Sequence, residues 1–371
     1  MVVDTDHQVA DRQPASIEVP ISDIKIEGDG TSVIEAADTN QSGDILRIED
    51  KENVWIDNLI IDAKCGEGRR GDARNIGGQE VGTLRNIRIT NCVLRNAGRD
   101  AIVFENDDVA GDLTDFYIAG NTINFSDNHG ILLGVYDNAG PSTIKNVIYE
   151  NNKITDTDIQ AIGVFAVGSN ASGENILMVD NVVNQPPATD EQGANHGFET
   201  NISYALAYAN EINSYRAQAG ISITKGGTDC IAYRNKVRGG GRAVWIDDRK
   251  TGPPITRHNL VVGNDNRNAN HGVWYGNIDG DLQVSDNYLT GNGNPVTDGG
   301  GNTGSNYKIF NNGTGVGTAD TGLPSSIQNP ISITDSNGDT VGAASWDRGS
   351  PHPDDPVRVA VSVDLGGNAS V

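Results

Sequence analysis

Asparagine recurs at a nearly constant spacing along most of the 371 residues, and this repeat restricts the fold more than any other feature. Each recurring asparagine follows a short strand-like segment; the positions are Asn58, Asn91, Asn121, Asn152, Asn181, Asn210, Asn235, Asn259, Asn287 and Asn312. Successive intervals are 33, 30, 31, 29, 29, 25, 24, 28 and 25 residues. Such a period is typical of stacked arrays in which each unit buries its apolar face against the next. Because the unit contains no helical period, the repeat predicts a β-solenoid of about ten coils.

The repeated asparagine suits a tight corner between two strands for two reasons. Asparagine tolerates the left-handed backbone region that a sharp bend requires. Its side-chain amide also matches the ladder geometry of stacked strands, in which each amide donates to the carbonyl of the next coil. We therefore predict a single line of corners made by Asn121, Asn152, Asn181, Asn210, Asn235 and Asn259.

A second motif follows the asparagine: a small residue, then an apolar, a variable and another apolar residue. Since strand side chains alternate between faces, the two apolar residues should face the interior. The predicted inward pairs are Ile102/Phe104, Ile131/Leu133, Ile162/Val164, Ile221/Ile223, Val244/Ile246 and Val273/Tyr275. The predicted outward residues between them are Val103, Leu132, Gly163, Glu199, Ser222, Trp245 and Trp274.

The two motifs together resemble the right-handed parallel β-helix superfamily of pectate lyases, polygalacturonases and phage tailspikes. The resemblance covers residues 20–316 and implies an all-β fold. It does not imply one activity, because this fold carries lyases, hydrolases, epimerases and inert spikes.

Changes in the residue pattern divide the chain into three parts. Residues 1–19 read as an N-terminal arm, 20–316 as the parallel β-helix, and 317–371 as a small C-terminal β-hairpin tail that caps the rod or serves assembly. Longer insertions interrupt the period at 64–82, 107–114, 186–195 and 249–254. Insertions in solenoids map to loops on one face, which is often the working face.

The composition is strongly acidic, with 50 Asp and Glu against 27 Lys and Arg and a net charge of −23. A solvated acidic coat with few lysines is typical of proteins from extreme halophiles, archaeal viruses included. The charge disfavours nucleic-acid binding, because no basic stripe is present to neutralise phosphates.

No apolar run is long enough to cross a membrane, and the N-terminus does not read as a signal peptide. Three widely spaced cysteines give no disulfide framework, and pairing of Cys65 with Cys92 in adjacent coils stays open.

Candidate functional residues concentrate on the outward positions of neighbouring coils. Exposed aromatic faces beside polar groups are what sugar rings pack against, so Trp245 and Trp274 are predicted to bind a saccharide, although packing beneath a loop is the alternative. The residues before the small position form another line, from which His196, Arg242 and His271 are candidate ligand contacts. The histidines of this line fall in non-consecutive coils, too far apart to share a metal ion, and we expect them to be surface corner residues.

The candidate catalytic residues are Asp247, Asp248, Arg249 and Glu199. Glycoside hydrolysis requires two carboxylates, and Glu199 lies two coils before Asp247. Elimination of the pectate-lyase kind, which the resemblance implies as an alternative, would use an arginine or lysine base beside carboxylates that hold Ca²⁺. The sequence departs from the polygalacturonase pattern and offers Asn-His-Gly and Ile-Asp-Asp-Arg-Lys in its place. No cofactor or metal ligand set follows from the sequence beyond this Ca²⁺.

Three functions therefore stay open. The first is a virion or cell-surface spike, homotrimeric as such spikes usually are, that attaches to a surface glycan or glycoprotein and contacts other virion or surface subunits. The second is a secreted lyase or glycoside hydrolase that acts on an acidic polysaccharide. Either function places the protein outside the cell or on the virion surface. The third is a surface adhesin or structural repeat protein without a small ligand.

Overall fold

A computed structural model describes most of the chain. The described residues are 16–36, 43–65, 72–136, 140–185, 196–214, 218–224, 227, 230–247, 258–278, 281–285, 287–302, 307–310, 312, 331–334, 340–348 and 359–364. All regular structure in them is β-strand, numbered β1 to β35 in chain order.

Three parallel sheets of 11, 11 and 10 strands run the length of the molecule. The first sheet contains β1 (Ile17–Glu18), β4 (Gly43–Arg47), β7 (Ala73–Gln79), β10 (Ile102–Asn106), β13 (His129–Tyr136), β16 (Gln160–Val167), β19 (His196–Thr200), β22 (Ala219–Thr224), β25 (Arg242–Asp247), β28 (His271–Gly276) and β31 (Asn294–Asp298). The second contains β2 (Ile24–Glu27), β5 (Glu52–Asp57), β8 (Leu84–Thr90), β11 (Leu113–Ala119), β14 (Ser142–Glu150), β17 (Ala171–Val179), β20 (Ser203–Tyr208), β23 (Ile231–Tyr233), β26 (His258–Val262), β29 (Asp281–Ser285) and β32 (Tyr307–Phe310). The third contains β3 (Val33–Glu35), β6 (Ile60–Asp62), β9 (Val93–Ala97), β12 (Thr122–Ser126), β15 (Lys153–Thr157), β18 (Val182–Gln185), β21 (Glu211–Ser214), β24 (Lys236–Arg238), β27 (Asp265–Arg267) and β30 (Tyr288–Thr290).

Consecutive strands belong to different sheets, so each coil contributes one strand to every sheet and pairs with the coils before and after it. The predicted right-handed parallel β-helix is confirmed. The predicted inward pairs are also confirmed, since all twelve residues are buried in one continuous core. Neighbouring coils therefore bury the apolar surface that an isolated coil would expose to water.

An asparagine ladder runs along the corner between the second and third sheets. Each side-chain Nδ2 donates to the Oδ1 of the next coil at 2.8–3.0 Å. The ladder residues are Asn121, Asn152, Asn181, Asn210, Asn235, Asn264, Asn287 and Asn312. The prediction of a single line of corners is thus confirmed for most of its members.

Two details of that prediction are wrong. Asn259 lies outside the ladder and caps residues 227 and 230 instead, whereas Asn264 occupies the ladder position. The left-handed backbone conformation also belongs to the residue before the ladder asparagine, as in Asn151 at φ 50° and Asp180 at φ 53°. Asn58 and Asn91 hold this earlier position, at φ 56° and 55°. The ladder and the bend therefore require two adjacent residues in each coil.

The four predicted insertions all adjoin strands of the first sheet. The insertion at 107–114 follows β10, but its end is wrong, because Leu113 and Thr114 belong to β11. The insertion at 249–254 follows β25. The insertions at 64–82 and 186–195 follow β6 and β18 and lead into the first sheet. Part of 64–82 is wrong as an insertion, because β7 occupies Ala73–Gln79 and pairs with β4 and β10. Residues 186–195 and 248–257 lie outside the described residues.

The C-terminal part contains a small antiparallel sheet of β33 (Ile331–Thr334), β34 (Thr340–Arg348) and β35 (Val359–Asp364). At the other end, β1 lies within the predicted arm and already pairs with β4. The boundaries of the three predicted parts stay predictions. All three cysteines are buried and none of them forms a disulfide bond, so Cys65 and Cys92 do not pair. No helix among the described residues is long and apolar enough to span a membrane.

Candidate functional site

The outer face of the first sheet, which points away from the core, carries most of the candidate residues. Strand register aligns its side chains in lines that run along the molecule. One line contains His129, Gln160, His196, Ala219, Arg242, His271 and Asn294. The next line contains Val103, Leu132, Gly163, Glu199, Ser222, Trp245, Trp274 and Thr297. Parallel pairing therefore brings together residues that are 23 to 36 positions apart in the sequence.

Trp245 and Trp274 are direct neighbours on β25 and β28, as predicted. Their rings meet edge to face, with centroids 5.9 Å apart and an interplanar angle of 84°. The Trp274 ring lies over Gly276 and Gly299, where a Cβ would approach ring carbons to 2.6 Å and 1.9 Å. Only glycine leaves room for this ring position, so the backbone beneath Trp274 is shaped to hold the indole flat. Both indoles are half-buried, between the two predicted alternatives.

Two further side chains hold the tryptophans in place. The guanidinium carbon of Arg242 lies 4.3 Å from the ring centroid of Trp245 and 5.0 Å from that of Trp274. The ring of His196 stacks on the indole of Trp245, with ring centroids 5.7 Å apart and an interplanar angle of 16°. Cation–π contacts of this kind contribute about 0.5–1 kcal/mol each at partly exposed sites. These contacts therefore fix the positions of both indole rings on the outer face.

The prediction that His196 is a surface corner residue is wrong, because its side chain is buried by its neighbours on the outer face. Its ring lies between Trp245 and Glu199, whose Oε2 is 3.7 Å from the histidine Nε2. His271 is less buried, and its Nδ1 lies 2.7 Å from the Thr297 hydroxyl. Partial burial, together with the nearby Arg242, lowers the pKa of His271 below its ordinary value.

The two described catalytic candidates are buried carboxylates. Glu199 is 9% exposed and accepts hydrogen bonds from the Gln160 amide and, at 3.1 Å, from the Thr224 hydroxyl. Asp247 is 2% exposed and accepts one from Asn277 Nδ2 at 2.9 Å. Thr224 pairs with Asp247 across the strands and therefore lies between the two acids. Asp248 and Arg249, the other candidates, lie outside the described residues.

Several polar atoms on the outer face of the first sheet have no hydrogen-bond partner among the described residues. They are Oε1 of Gln160, Oγ of Ser222 and Nε1 of Trp245. A buried polar atom without a partner costs about 1–3 kcal/mol. Such atoms are normally satisfied by protein, ordered water or a ligand. Ser222 and Trp245 are direct neighbours on β22 and β25, and Gln160 lies three strands from Trp245 on the same face. Unpartnered polar atoms along an aromatic surface are what a site for a polyhydroxylated ligand provides.

A second polar cluster on the same face was not selected from the sequence. Asp100 is fully buried, and its Oδ1 lies 2.6 Å from Nδ1 of His129. Its Oδ2 lies 3.3 Å from Nε of Arg99 and 3.8 Å from Nε of Arg74. Asp100 and His129 precede the small residue of adjacent repeats, so their alignment was visible in the sequence, but their burial was not.

Metal binding finds no support among the described residues, where no group of three or more His, Cys, Asp or Glu side chains is arranged to hold an ion. The predicted use of Ca²⁺ stays untested.

No family model matches the sequence, and no curated protein matches it either. Several solved structures match the fold. The GH136 lacto-N-biosidase from Eubacterium ramulus has 13% identity and a TM-score of 0.47, over 78% of this chain and 56% of that one. The polygalacturonase from Erwinia carotovora ssp. carotovora has 12% identity and a TM-score of 0.43, over 80% and 85%. ORF18 of Geobacillus virus E2 has 12% identity and a TM-score of 0.46, over 94% and 66%. The chain thus spans little more than half the length of the lacto-N-biosidase, and the likeness concerns the fold alone.

Proposed function

We propose that this protein binds a polysaccharide along the outer face of its first sheet. The observation that carries the proposal is the aromatic pair of Trp245 and Trp274, fixed by Arg242 and seated on glycine backbone. Sugar rings present apolar C–H faces to aromatic rings and hydroxyl groups to polar atoms. The unpartnered Oγ of Ser222, the residue that pairs with Trp245, supplies a polar contact beside the rings, and Gln160 supplies one three strands further along the same face.

The length of the surface suits a few sugar units. From Gln160 on β16 to Trp274 on β28 the face crosses four strand spacings. At about 4.8 Å per spacing this is roughly 19 Å. A chain of sugars that lies along the coils therefore contacts polar and aromatic positions in turn.

The test compares matched tryptophans. Purified protein is screened on an array of microbial polysaccharides, and the affinity for the best ligand is measured by calorimetry. Trp245→Ala should weaken binding by about 1–3 kcal/mol, the scale for an aromatic anchor, or roughly 5–150-fold. Trp55→Ala is the control, because Trp55 lies on the second sheet with Lys25 over its ring at 3.9 Å. An array without binders, or equal affinities for the two variants, would refute the proposal.

The proposed role of this binding is attachment to a surface glycan or glycoprotein by a virion or cell-surface spike. A stiff β-helix that presents one binding face suits this role, and a homotrimer would give it avidity. Light scattering after gel filtration tests the assembly. A mass three times that of the 39.2 kDa chain supports the proposal, and a monomer at all concentrations opposes it.

The second candidate is cleavage of an acidic polysaccharide by a hydrolase. It is favoured by the two buried carboxylates Glu199 and Asp247, which lie on either side of Thr224. If they catalyse hydrolysis, Asp247→Asn should abolish the release of reducing ends while polysaccharide affinity stays unchanged. Equal turnover by wild type and Asp247→Asn would exclude this role for Asp247.

A further inference from the structure

A line of apolar side chains runs along the outer face of the second sheet. Strand register aligns one residue from each of five neighbouring strands: Tyr117, Ile148, Leu177, Leu206 and Ile231. Each of them stands between two residues of the main core, so its own side chain points away from that core. All five are nevertheless buried, and Ile148, Leu177 and Leu206 are buried completely. These five residues are called the apolar stripe.

The C-terminal sheet lies against this part of the molecule. Its strand β33 contacts β11, β14 and β17, the strands that carry Tyr117, Ile148 and Leu177. The C-terminal sheet therefore docks on the side of the β-helix, in the middle of the second sheet. Removal of apolar surface from water is the main driving force for docking of this kind.

The outer faces of the other two sheets are built for other uses. The third sheet carries charged side chains that are exposed to solvent on its outer face, among them Lys153, Glu211 and Lys236. The first sheet carries the tryptophans of the proposed saccharide site. Since the core of a subunit interface is depleted of charged residues, the second sheet is the face suited to contact with another copy.

The connection to the C-terminal sheet is long enough to reach a neighbouring copy. Strand β32 ends at Phe310 and β33 begins at Ile331. In the second sheet β32 lies six strand spacings from β14, about 29 Å, whereas residues 313–330 span up to about 60 Å when extended. Two β-helices that face each other with one C-terminal sheet between them lie roughly 20 Å apart, because packed sheets are about 10 Å apart. The connection therefore reaches the apolar stripe of its own chain or that of a neighbour.

We propose that copies of this protein exchange their C-terminal sheets, so that β33–β35 of one copy dock on the apolar stripe of the next. The docking surfaces are the same in both arrangements, so exchange keeps every contact of the C-terminal sheet and adds a tie between chains. Exchange of an identical element is a low-cost route to an oligomer for this reason. The proposal rests on the homotrimer proposed above and is independent of saccharide binding.

The first test measures the mass of the full chain by light scattering after gel filtration. Wild type should have three times the mass of the 39.2 kDa chain. Leu177→Glu places a charge within the apolar stripe and should reduce the mass to that of one chain. Val182→Glu is the matched control, because Val182 lies half-buried on the outer face of the third sheet in the same coil, and it should keep the wild-type mass.

The second test identifies the chain whose C-terminal sheet covers a given stripe. A photo-cross-linking residue is placed in turn at Thr143 on β14 and at Ser172 on β17, two paired positions of the second sheet. Isotope-labelled and unlabelled chains are mixed in urea, refolded together and irradiated, and mass spectrometry reads the isotope of each cross-linked peptide. Exchange predicts hybrid pairs, in which a peptide of the second sheet from one chain is joined to a C-terminal peptide from the other.

The two tests separate this proposal from the others. A monomeric wild type would overturn both the exchange and the homotrimer, while saccharide binding on the array would still stand. Pairs of like isotope only, or a Leu177→Glu protein that stays trimeric, would overturn the exchange and leave the homotrimer standing. Circular dichroism checks folding, and the cross-links carry the test if Leu177→Glu does not fold, since Thr143 and Ser172 lie outside the apolar stripe.

Discussion

Replacing one asparagine of the ladder tests how the coils are held together. Asn181 is fully buried and its side chain makes four hydrogen bonds. Its Nδ2 donates to Tyr149 O and Asn210 Oδ1, both at 3.0 Å, and its Oδ1 accepts from the backbone N and the Nδ2 of Asn152, both at 3.0 Å. Asn181→Ala removes all four and leaves buried donors on Asn152 without a partner. A hydrogen bond contributes about 1 kcal/mol net, and an unpaired buried group costs about 1–3 kcal/mol.

The expected loss of unfolding free energy is therefore about 4 kcal/mol, which is large for a point substitution. Urea unfolding at constant salt, followed by circular dichroism, measures it. Asn124→Ala is the control, because Asn124 is exposed on β12, one residue after the core residue Ile123, and its replacement should change stability by less than about 0.5 kcal/mol. If the two variants lose the same free energy, the ladder does not stabilise the coils and this reasoning is wrong.

Three further predictions concern charge, thiols and pH. The net charge of −23 should make the unfolding midpoint rise between 0.01 M and 1 M salt, where the Debye length falls from about 30 Å to about 3 Å; a midpoint independent of salt contradicts halophilic adaptation. Burial raises the pKa of Cys92 to about 12, so native protein should not react with a thiol reagent at pH 8 until it unfolds. The pKa of His271 is lower in the folded protein than its ordinary value of 6.5, so folding favours the neutral imidazole. The stability that this group contributes is therefore complete above pH 6.5 and is lost as the pH falls through the pKa of the folded state. His271→Asn should reduce this loss of stability in acid.

The sequence predicted the fold well because two independent patterns indicate it: the regular spacing of asparagines and the alternation of apolar residues along the strands. It misplaced individual corner residues for a physical reason. Asparagine serves both the left-handed bend and the ladder, which are adjacent positions. Asn91 makes the bend and Cys92 follows it, whereas in a later coil Asp180 makes the bend and Asn181 forms the ladder. Residue type alone does not distinguish these uses.

The candidate site was predicted in part. Alternation placed Trp245 and Trp274 side by side on the outer face, but it did not indicate that His196 would be buried against one of them. The sequence also treated outward positions as solvated, whereas Val103 and Leu132 are buried there. Burial on the outer face depends on side chains from several coils, such as Phe165. The Asp100–His129 pair was overlooked for this reason.

The most direct test of saccharide binding is a crystal structure of the protein with an oligosaccharide selected on the polysaccharide array. If the outer face of the first sheet binds the ligand, sugar rings will stack on Trp245 or Trp274, with hydroxyl groups within hydrogen-bond distance of Ser222 Oγ or Gln160 Oε1. An oligosaccharide bound on the second or third sheet, with both indoles left uncovered, would contradict it.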